Sequence, residues 1–210
     1  MYNYCERSND LFFGEPLNSI SNIFFLIAAT FLLKKQSKVY IFSILIYFIG
    51  FSSFFWHTIP NLTTGLLDIT SIIFFILYYT YKLYKILFKN RLIAIVIAFT
   101  FCIVCFSLGK LGANTFLATS SFYIPILIHI LLLNLFFYIR KEKNLSLNYL
   151  QFSFYIFLSS IAMRTLDFHL CEFIKIGTHF IWHFLNASLL YCMVKFYLDL
   201  SNRSSPKKPS

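Results

Sequence analysis

The sequence predicts an all-α integral membrane protein with seven transmembrane helices, an outward-facing N-terminus and a cytoplasmic C-terminus. Of its 210 residues, 59% are apolar and only 12% are charged, which leaves too few polar side chains to cover a soluble globule. A spanning helix takes about 20 residues, so the chain has room for about seven. We therefore predict one membrane domain over residues 1–200, which includes an outer N-terminal segment (1–16), and a basic, disordered cytoplasmic tail (201–210).

The predicted spans follow stretches that lack charged residues. Six charge-free windows define most of them, and a further stretch that contains a single acid, Asp68, supplies the remaining span. An acid inside a spanning helix indicates a functional site. The charge-free windows are 16–33, 39–67, 92–109, 111–139, 144–163 and 176–194, and the span with the acid covers about 61–81.

The basic residues fall mainly on one side of this arrangement. Fourteen of the 18 lysines and arginines lie on the side of the C-terminus. By the positive-inside rule, that side is cytoplasmic. The net charge of +10 therefore reflects membrane topology, and we expect no nucleic-acid partner. Six of the eight acids collect on the outer half: Glu6, Asp10, Glu15, Asp68, Asp167 and Glu172.

Four ionisable residues lie at the outer ends of the predicted spans, where burial is costly and needs a reason. His57 ends the second span and Asp68 begins the third, while His179 and His183 lie four residues apart on one face of the seventh. Three neutral histidines with an open fourth position are typical of a hydrolytic zinc site, where bound water has a pKa of about 7. Asp68 is the candidate base, and Ser53 is a candidate hydrogen-bond donor to an oxyanion.

These residues also have alternative explanations. Ser53 could bond to a carbonyl of its own helix, and Asp68 could stabilise the first turn of its helix. The same ligands fit a non-catalytic lipid sensor or receptor with a structural zinc. A haem carrier could use His57 and a histidine of the seventh span. His129, in the fifth span, is assigned to a helix-packing hydrogen bond.

Three segments of the chain resemble the alkaline ceramidases, within the wider superfamily of seven-helix membrane hydrolases that includes the progestin and adipoQ receptors. They are YCERSNDLFFGEPLNSISNIFFLIAA (4–29), GFSSFFWHTIPNLTTGLLDI (50–69) and RTLDFHLCEFIKIGTHFIWHFLNASLLY (164–191). They contain S-x3-H, an Asp eleven residues after that His, and H-x3-H, in the order typical of the family. The sequences of the first and third segments are most similar to the bacterial branch.

The resemblance implies a role for each candidate residue. His57, His179 and His183 would hold zinc, Asp68 would deprotonate the attacking water, and Ser53 would assist at the developing oxyanion. The implied reaction is hydrolysis of the N-acyl amide of a ceramide-like sphingolipid, which releases a fatty acid and a long-chain amine. The lipid would enter sideways between helices. The expected location is a bacterial inner membrane, with the active site toward the outer face.

The resemblance also implies a calcium site in the N-terminal segment. Glu6 and Glu15 match ligand positions, whereas Asn3 stands where an Asp is usual and Ser8 where an Asn is usual. Because calcium prefers anionic oxygen ligands, the loss of a carboxylate weakens this expectation. Glu15 could instead cap the first span or pair with a basic loop residue such as Arg164.

The cysteines fall into two groups. Cys102, Cys105 and Cys192 lie within predicted spans, where packing as small apolar residues is expected. The charge distribution places Cys5 and Cys171 outside. The family has a bridge at matching positions, which implies a disulfide that holds the N-terminal segment over the site.

Overall fold

The computed structural model describes residues 4–9, 11–34, 37–118, 120–142 and 146–204. Over these residues the chain is all-helical and contains no strand. Short 3₁₀ turns at Ser37–Val39 and Ser121–Tyr123 precede the third and sixth helices. The α-helices are α1 Pro16–Ile20, α2 Ile23–Leu33, α3 Tyr40–Thr58, α4 Leu62–Phe88, α5 Arg91–Leu111, α6 Ile124–Ile139, α7 Leu147–His169 and α8 His179–Ser204.

The helices pack in a closed ring. Helices that follow one another in sequence from α2 to α8 lie side by side, and α8 closes the ring by packing against α2. A short turn at Ser21 and Asn22 separates α1 from α2, and the two together form one apolar unit of 18 residues, Pro16–Leu33. The described chain therefore forms seven helical units, the number that the sequence predicts.

Polar side chains set the starts of several helices. Asn61 caps α4 by accepting from the Thr64 amide, and the Thr64 hydroxyl accepts from the Asn61 amide in return. Asn90 caps α5 in a similar way, and Pro125 lies in the first turn of α6. Because the cap at Asn61 follows α3 after a short turn, the chain reverses direction just beyond His57.

Five helical units are long and apolar enough to cross a membrane, which indicates a multi-pass membrane protein. They are Pro16–Leu33, Tyr40–Thr58, Leu62–Phe88, Arg91–Leu111 and Ser121–Ile139. Helices α7 and α8 have sufficient length, but they are more polar because their inward faces bury Ser, Thr, Asn, Asp and His side chains. The seven-span count and the orientation of the chain thus remain predictions.

The basic loops lie at one end of the ring. The Lys38 ammonium donates to Asn202 near the end of α8, and the Ser146 amide donates to Asp199 of the same helix. These contacts bring the α2–α3 and α6–α7 connections together with the end of α8. The helix α8 continues to Ser204, so the predicted disordered tail begins in helical conformation, and residues 205–210 lie outside the described residues.

Candidate metal centre and the adjoining cavity

The three predicted metal ligands lie together inside the ring, at the end opposite the basic loops. His57 comes from the last turn of α3, and His179 and His183 come from the first two turns of α8. One ligand atom from each histidine lies within 4.8 Å of the others, and each side chain is at most 1% exposed. This buried group could hold a metal ion.

Hydrogen bonds on the outer side of the rings determine which nitrogens face the centre. The Nδ1 atom of His57 lies 2.6 Å from Glu15 Oε2, and Nδ1 of His183 lies 2.7 Å from the Ser21 hydroxyl. These contacts leave the Nε2 atoms of both rings for a ligand. Within the described part of the chain, Nδ1 of His179 is buried without a hydrogen-bond partner. Rings fixed in this way by a carboxylate or a hydroxyl are typical of metal-binding histidines.

Asp167 positions the start of α8 and thereby His179. Its Oδ1 atom accepts hydrogen bonds from the amides of Thr178 (2.6 Å) and His179 (2.9 Å). This contact satisfies amides that would otherwise be unpaired at the first turn of a helix. Gly177 allows the close approach, because it has a positive φ of 64° and a Cβ there would collide with the Asp167 carboxylate.

Aromatic rings enclose the histidine group. The ring of Tyr4 contacts those of His57 and His179, with centroid distances of 4.9 and 4.1 Å, and Trp182 stacks on the other side of His179. The Tyr4 hydroxyl accepts a hydrogen bond from Trp56 Nε1. Burial raises the pKa of Tyr4 to about 12 despite the nearby Arg164 charge, so the phenol stays protonated at neutral pH.

Arg164 provides a half-buried positive charge beside this enclosure. Its guanidinium lies 4.7 Å from the ring centroid of Trp182 and 5.4 Å from that of Tyr123, which are cation–π distances. It also hydrogen-bonds with the Tyr4 side chain and is close enough to Asp68 for a charge interaction. Glu15 does pair with a basic residue, as one alternative expected, but that residue is Arg7 of the N-terminal segment and not Arg164, the example suggested by the sequence.

Asp68 and Ser53 lie beside the histidine group. The Ser53 hydroxyl hydrogen-bonds with the Asp68 carboxylate and lies 3.5 Å from Nε2 of His183. Ser53 is buried, whereas Asp68 is partly exposed to an adjoining cavity. The structure thus brings together all five residues that the sequence singled out: Ser53, His57, Asp68, His179 and His183.

A cavity of about 630 Å³ adjoins Asp68 and is lined mainly by α4, α5 and the segment before α6. Tyr4, Asn61, Asp68 and Arg164 supply its polar lining, and mostly apolar side chains of α3 to α5 and of the segment before α6 supply the remainder. Its volume lies within the range of about 300–1,000 Å³ that is usual for ligand pockets. A molecule in this cavity would contact the Asp68 carboxylate.

A smaller apolar cavity of about 80 Å³ continues deeper into the ring. Ile72 and Tyr123 line both cavities, so the two adjoin. His129 borders the smaller one and bonds through Nε2 to the Tyr84 hydroxyl at 2.9 Å, as expected of a helix-packing contact. The combined space is polar at the Asp68 end and apolar at the other.

The N-terminal segment covers the histidine group from the outer side. A disulfide between Cys5 and Cys171 joins it to the α7–α8 loop, and Cys102, Cys105 and Cys192 are free. Glu6, and not Glu15, caps α1, because its two carboxylate oxygens accept from the amides of Leu17 and Asn18. Asn3, the remaining predicted calcium ligand, lies outside the described residues.

Three residues of this centre escape sequence reasoning. Ser21 contacts His183, and Asp167 positions His179. Arg7 binds Glu15, which in turn contacts His57. None of them stands at a recognisable spacing from the histidine that it affects. The only local indication is Gly177, which lies two residues before His179 where a helix start is expected to require an unusual turn.

A sequence model of the ceramidase family, described as "Ceramidase", matches residues 1–209. The chain belongs to the ceramidase family. Membership implies a hydrolase that acts on the amide bond of ceramide and hence a lipid substrate. No curated protein and no solved structure matches this ceramidase family member.

Proposed function

We propose that this protein is a zinc-dependent hydrolase that cleaves the N-acyl amide bond of ceramide-like lipids into a fatty acid and a long-chain amine. The observation that carries the proposal is the buried trio of His57, His179 and His183 next to a cavity that contains Asp68. The donor set suits zinc, which takes imidazole nitrogens in catalytic sites and keeps one position open. When bound, zinc would polarise the amide carbonyl and lower the pKa of a water molecule to about 7.

The side chains around the trio supply the proton transfers. Asp68 would accept a proton from the water molecule as the water oxygen bonds to the carbonyl carbon of the amide. It would then pass that proton to the amide nitrogen as the C–N bond breaks. The Ser53 hydroxyl, which lies between Asp68 and His183, would donate to the oxygen that gains negative charge. Glu15 and Ser21 would hold the rings of His57 and His183 in place.

The shape of the cavity supports a lipid substrate. An amide placed at Asp68 would have its apolar chains in the space lined by α4, α5 and the deeper apolar cavity. A ceramide-like lipid could then enter between helices without exposing its chains to water. The part of the cavity that Arg164 and Tyr4 line would accept the polar groups next to the amide.

The distribution of charge supports an orientation in the membrane. The lysine-rich connections share one end of the ring, and the histidine group lies at the other. By the positive-inside rule the basic end is cytoplasmic, so the site faces outward. We place the protein in a bacterial inner membrane, as a member of the family's bacterial branch.

A substitution of Asp68 tests the catalytic assignment. Asp68→Asn should lower the release of fatty acid from ceramide at least about 100-fold, because it removes the base, while zinc content stays unchanged. The matched control is Asp199→Asn, the same change near the far end of α8. Unchanged hydrolysis by the Asp68 variant would contradict the assignment of Asp68 as the base, whereas a wild-type protein that binds zinc without releasing fatty acid would favour a sensor that keeps zinc for structure.

A panel of N-acyl lipids would define the substrate. Ceramide, an N-acylethanolamine and an N-acylated amino acid lipid share the scissile amide but differ in the second chain and the polar group. We expect the two-chained lipid to be cleaved fastest, because the cavity adjoins a second apolar space. Equal rates for all three would contradict a requirement for the second chain.

A further inference from the structure

A guanidinium group lies between the N-terminal segment and the end of α3. Arg7 Nε is 2.5 Å from Glu15 Oε1, and the same side chain donates to the carbonyl oxygens of His57 (3.1 Å) and Asn9 (3.4 Å). The side chains of Arg7 and Glu15 are 10% and 2% exposed, so the ion pair is largely shielded from water. One cation thus contacts three groups that come from three parts of the chain.

The acidic groups next to this cation have protein partners on every oxygen. Glu15 Oε2 accepts from His57 Nδ1 and from the Asn18 side chain, while Oε1 faces Arg7. Both oxygens of Glu6 accept backbone amides at the start of α1. A calcium ion takes six to eight oxygen ligands and depends on their negative charge. These residues do not fit a calcium ion, because the carboxylates are engaged and a fixed positive charge adjoins Glu15.

We infer that Arg7 takes the place of the calcium ion that the family resemblance implies, so that this protein is calcium-independent. The guanidinium neutralises Glu15 permanently and joins the segment around Asn9 to the last turn of α3. Arginine suits this task, because it keeps its charge at all relevant pH values and offers several donors in a fixed plane.

The same contacts make Arg7 a positioning residue for the metal centre. Arg7 holds Glu15, and Glu15 holds the ring of His57 through Nδ1, so the orientation of one ligand depends on the guanidinium. This part of the inference rests on the proposed function, since it requires that His57 bind zinc. The inference about calcium does not rest on the proposed function.

A thermal-unfolding experiment tests the calcium part. The purified zinc-loaded protein is freed of calcium and unfolded with no addition, with about 5 mM CaCl₂ or with about 5 mM MgCl₂, a concentration above the dissociation constants of weak calcium sites. We expect the unfolding temperature to be the same in all three. A rise of several degrees with calcium alone would overturn the inference, because a bound ion stabilises the folded state.

Substitutions of Arg7 test the positioning part. Arg7→Gln should lower the unfolding temperature and weaken zinc binding about tenfold or more, and Arg7→Lys should recover part of both losses because it keeps the charge. The control is Arg203→Gln, which breaks an exposed pair with Asp199. Unchanged zinc affinity in Arg7→Gln would overturn the positioning role. Failure of the zinc hypothesis itself would leave the calcium titration intact, since that titration measures unfolding alone.

Discussion

The hydroxyl of Ser21 illustrates how single side chains outside the ligand set shape the centre. It lies 2.7 Å from Nδ1 of His183 and belongs to the turn between α1 and α2. A hydrogen bond at this nitrogen fixes the tautomer and the rotation of the ring. The turn that interrupts the first helical unit thus presents a hydroxyl to the histidine group.

Removal of that hydroxyl should weaken metal binding. Ser21→Ala leaves Nδ1 of His183 without a partner, and we expect zinc affinity to fall about tenfold or more with little change in overall fold. Competition with a chromogenic chelator measures the affinity. The control is Ser43→Ala, a buried serine of α3 that bonds to the Val39 carbonyl of its own chain segment. Equal affinities for the two variants would contradict the role of Ser21.

At the residue scale, the grouping of the polar residues could be predicted from the sequence but their partners could not. Helical spacing fixes that His179 and His183 share a face, and position within the spans places His57 and Asp68 at the same depth. Glu15 was predicted to cap a helix or to pair with a basic loop residue such as Arg164; it pairs with Arg7, and its other oxygen contacts His57, which the sequence did not indicate. The path of a non-helical segment follows no periodicity, so its contacts require the structure.

At the scale of helices, the start of α8 depends on a turn that only glycine adopts easily. Gly177→Ala should destabilise the protein by about 1–3 kcal/mol, because a side chain at positive φ is strained and would displace Asp167 from the helix start. The measurement is thermal unfolding in detergent. The control is Gly109→Ala, since a Cβ at Gly109 meets Phe122 at an ordinary distance of 3.4 Å. Equal unfolding temperatures for the two variants would contradict this account.

The number of helical units could be predicted from charge-free windows, but their internal detail could not. Window 16–33 matches the unit Pro16–Leu33 at both ends, yet nothing in its apolar pattern indicates the break at Ser21 and Asn22. Window 39–67 is divided because Asn61 and Thr64 form a capping box, a local signal that hydropathy ignores. Helix α4 continues past Lys82 and Lys85, because these side chains extend from a helix end without interrupting it.

At the scale of the whole molecule, the disulfide ties the first residues of the chain to the loop that precedes α8. Cys5→Ser should lower stability by about 2–4 kcal/mol, because the bridge closes a long loop and restricts the unfolded chain. Thermal unfolding with and without a reductant measures this effect. Cys192→Ser, which removes a free thiol, is the control. A reductant should destabilise the wild type and the control, but not the Cys5 variant.

The central claim is that the three histidines hold zinc, and one measurement tests it directly. Zinc content and ceramide hydrolysis are determined on the purified protein, after chelation and again after zinc is restored. The proteins compared are the wild type, His183→Ala and the control His169→Ala, which lies at the exposed end of α7. We predict about one zinc per chain in the wild type and the control, with hydrolysis lost on chelation and regained with zinc, and neither zinc nor hydrolysis in His183→Ala. Full hydrolysis by protein that holds less than about a tenth of an equivalent of zinc, or a haem absorption band in its place, would contradict the account.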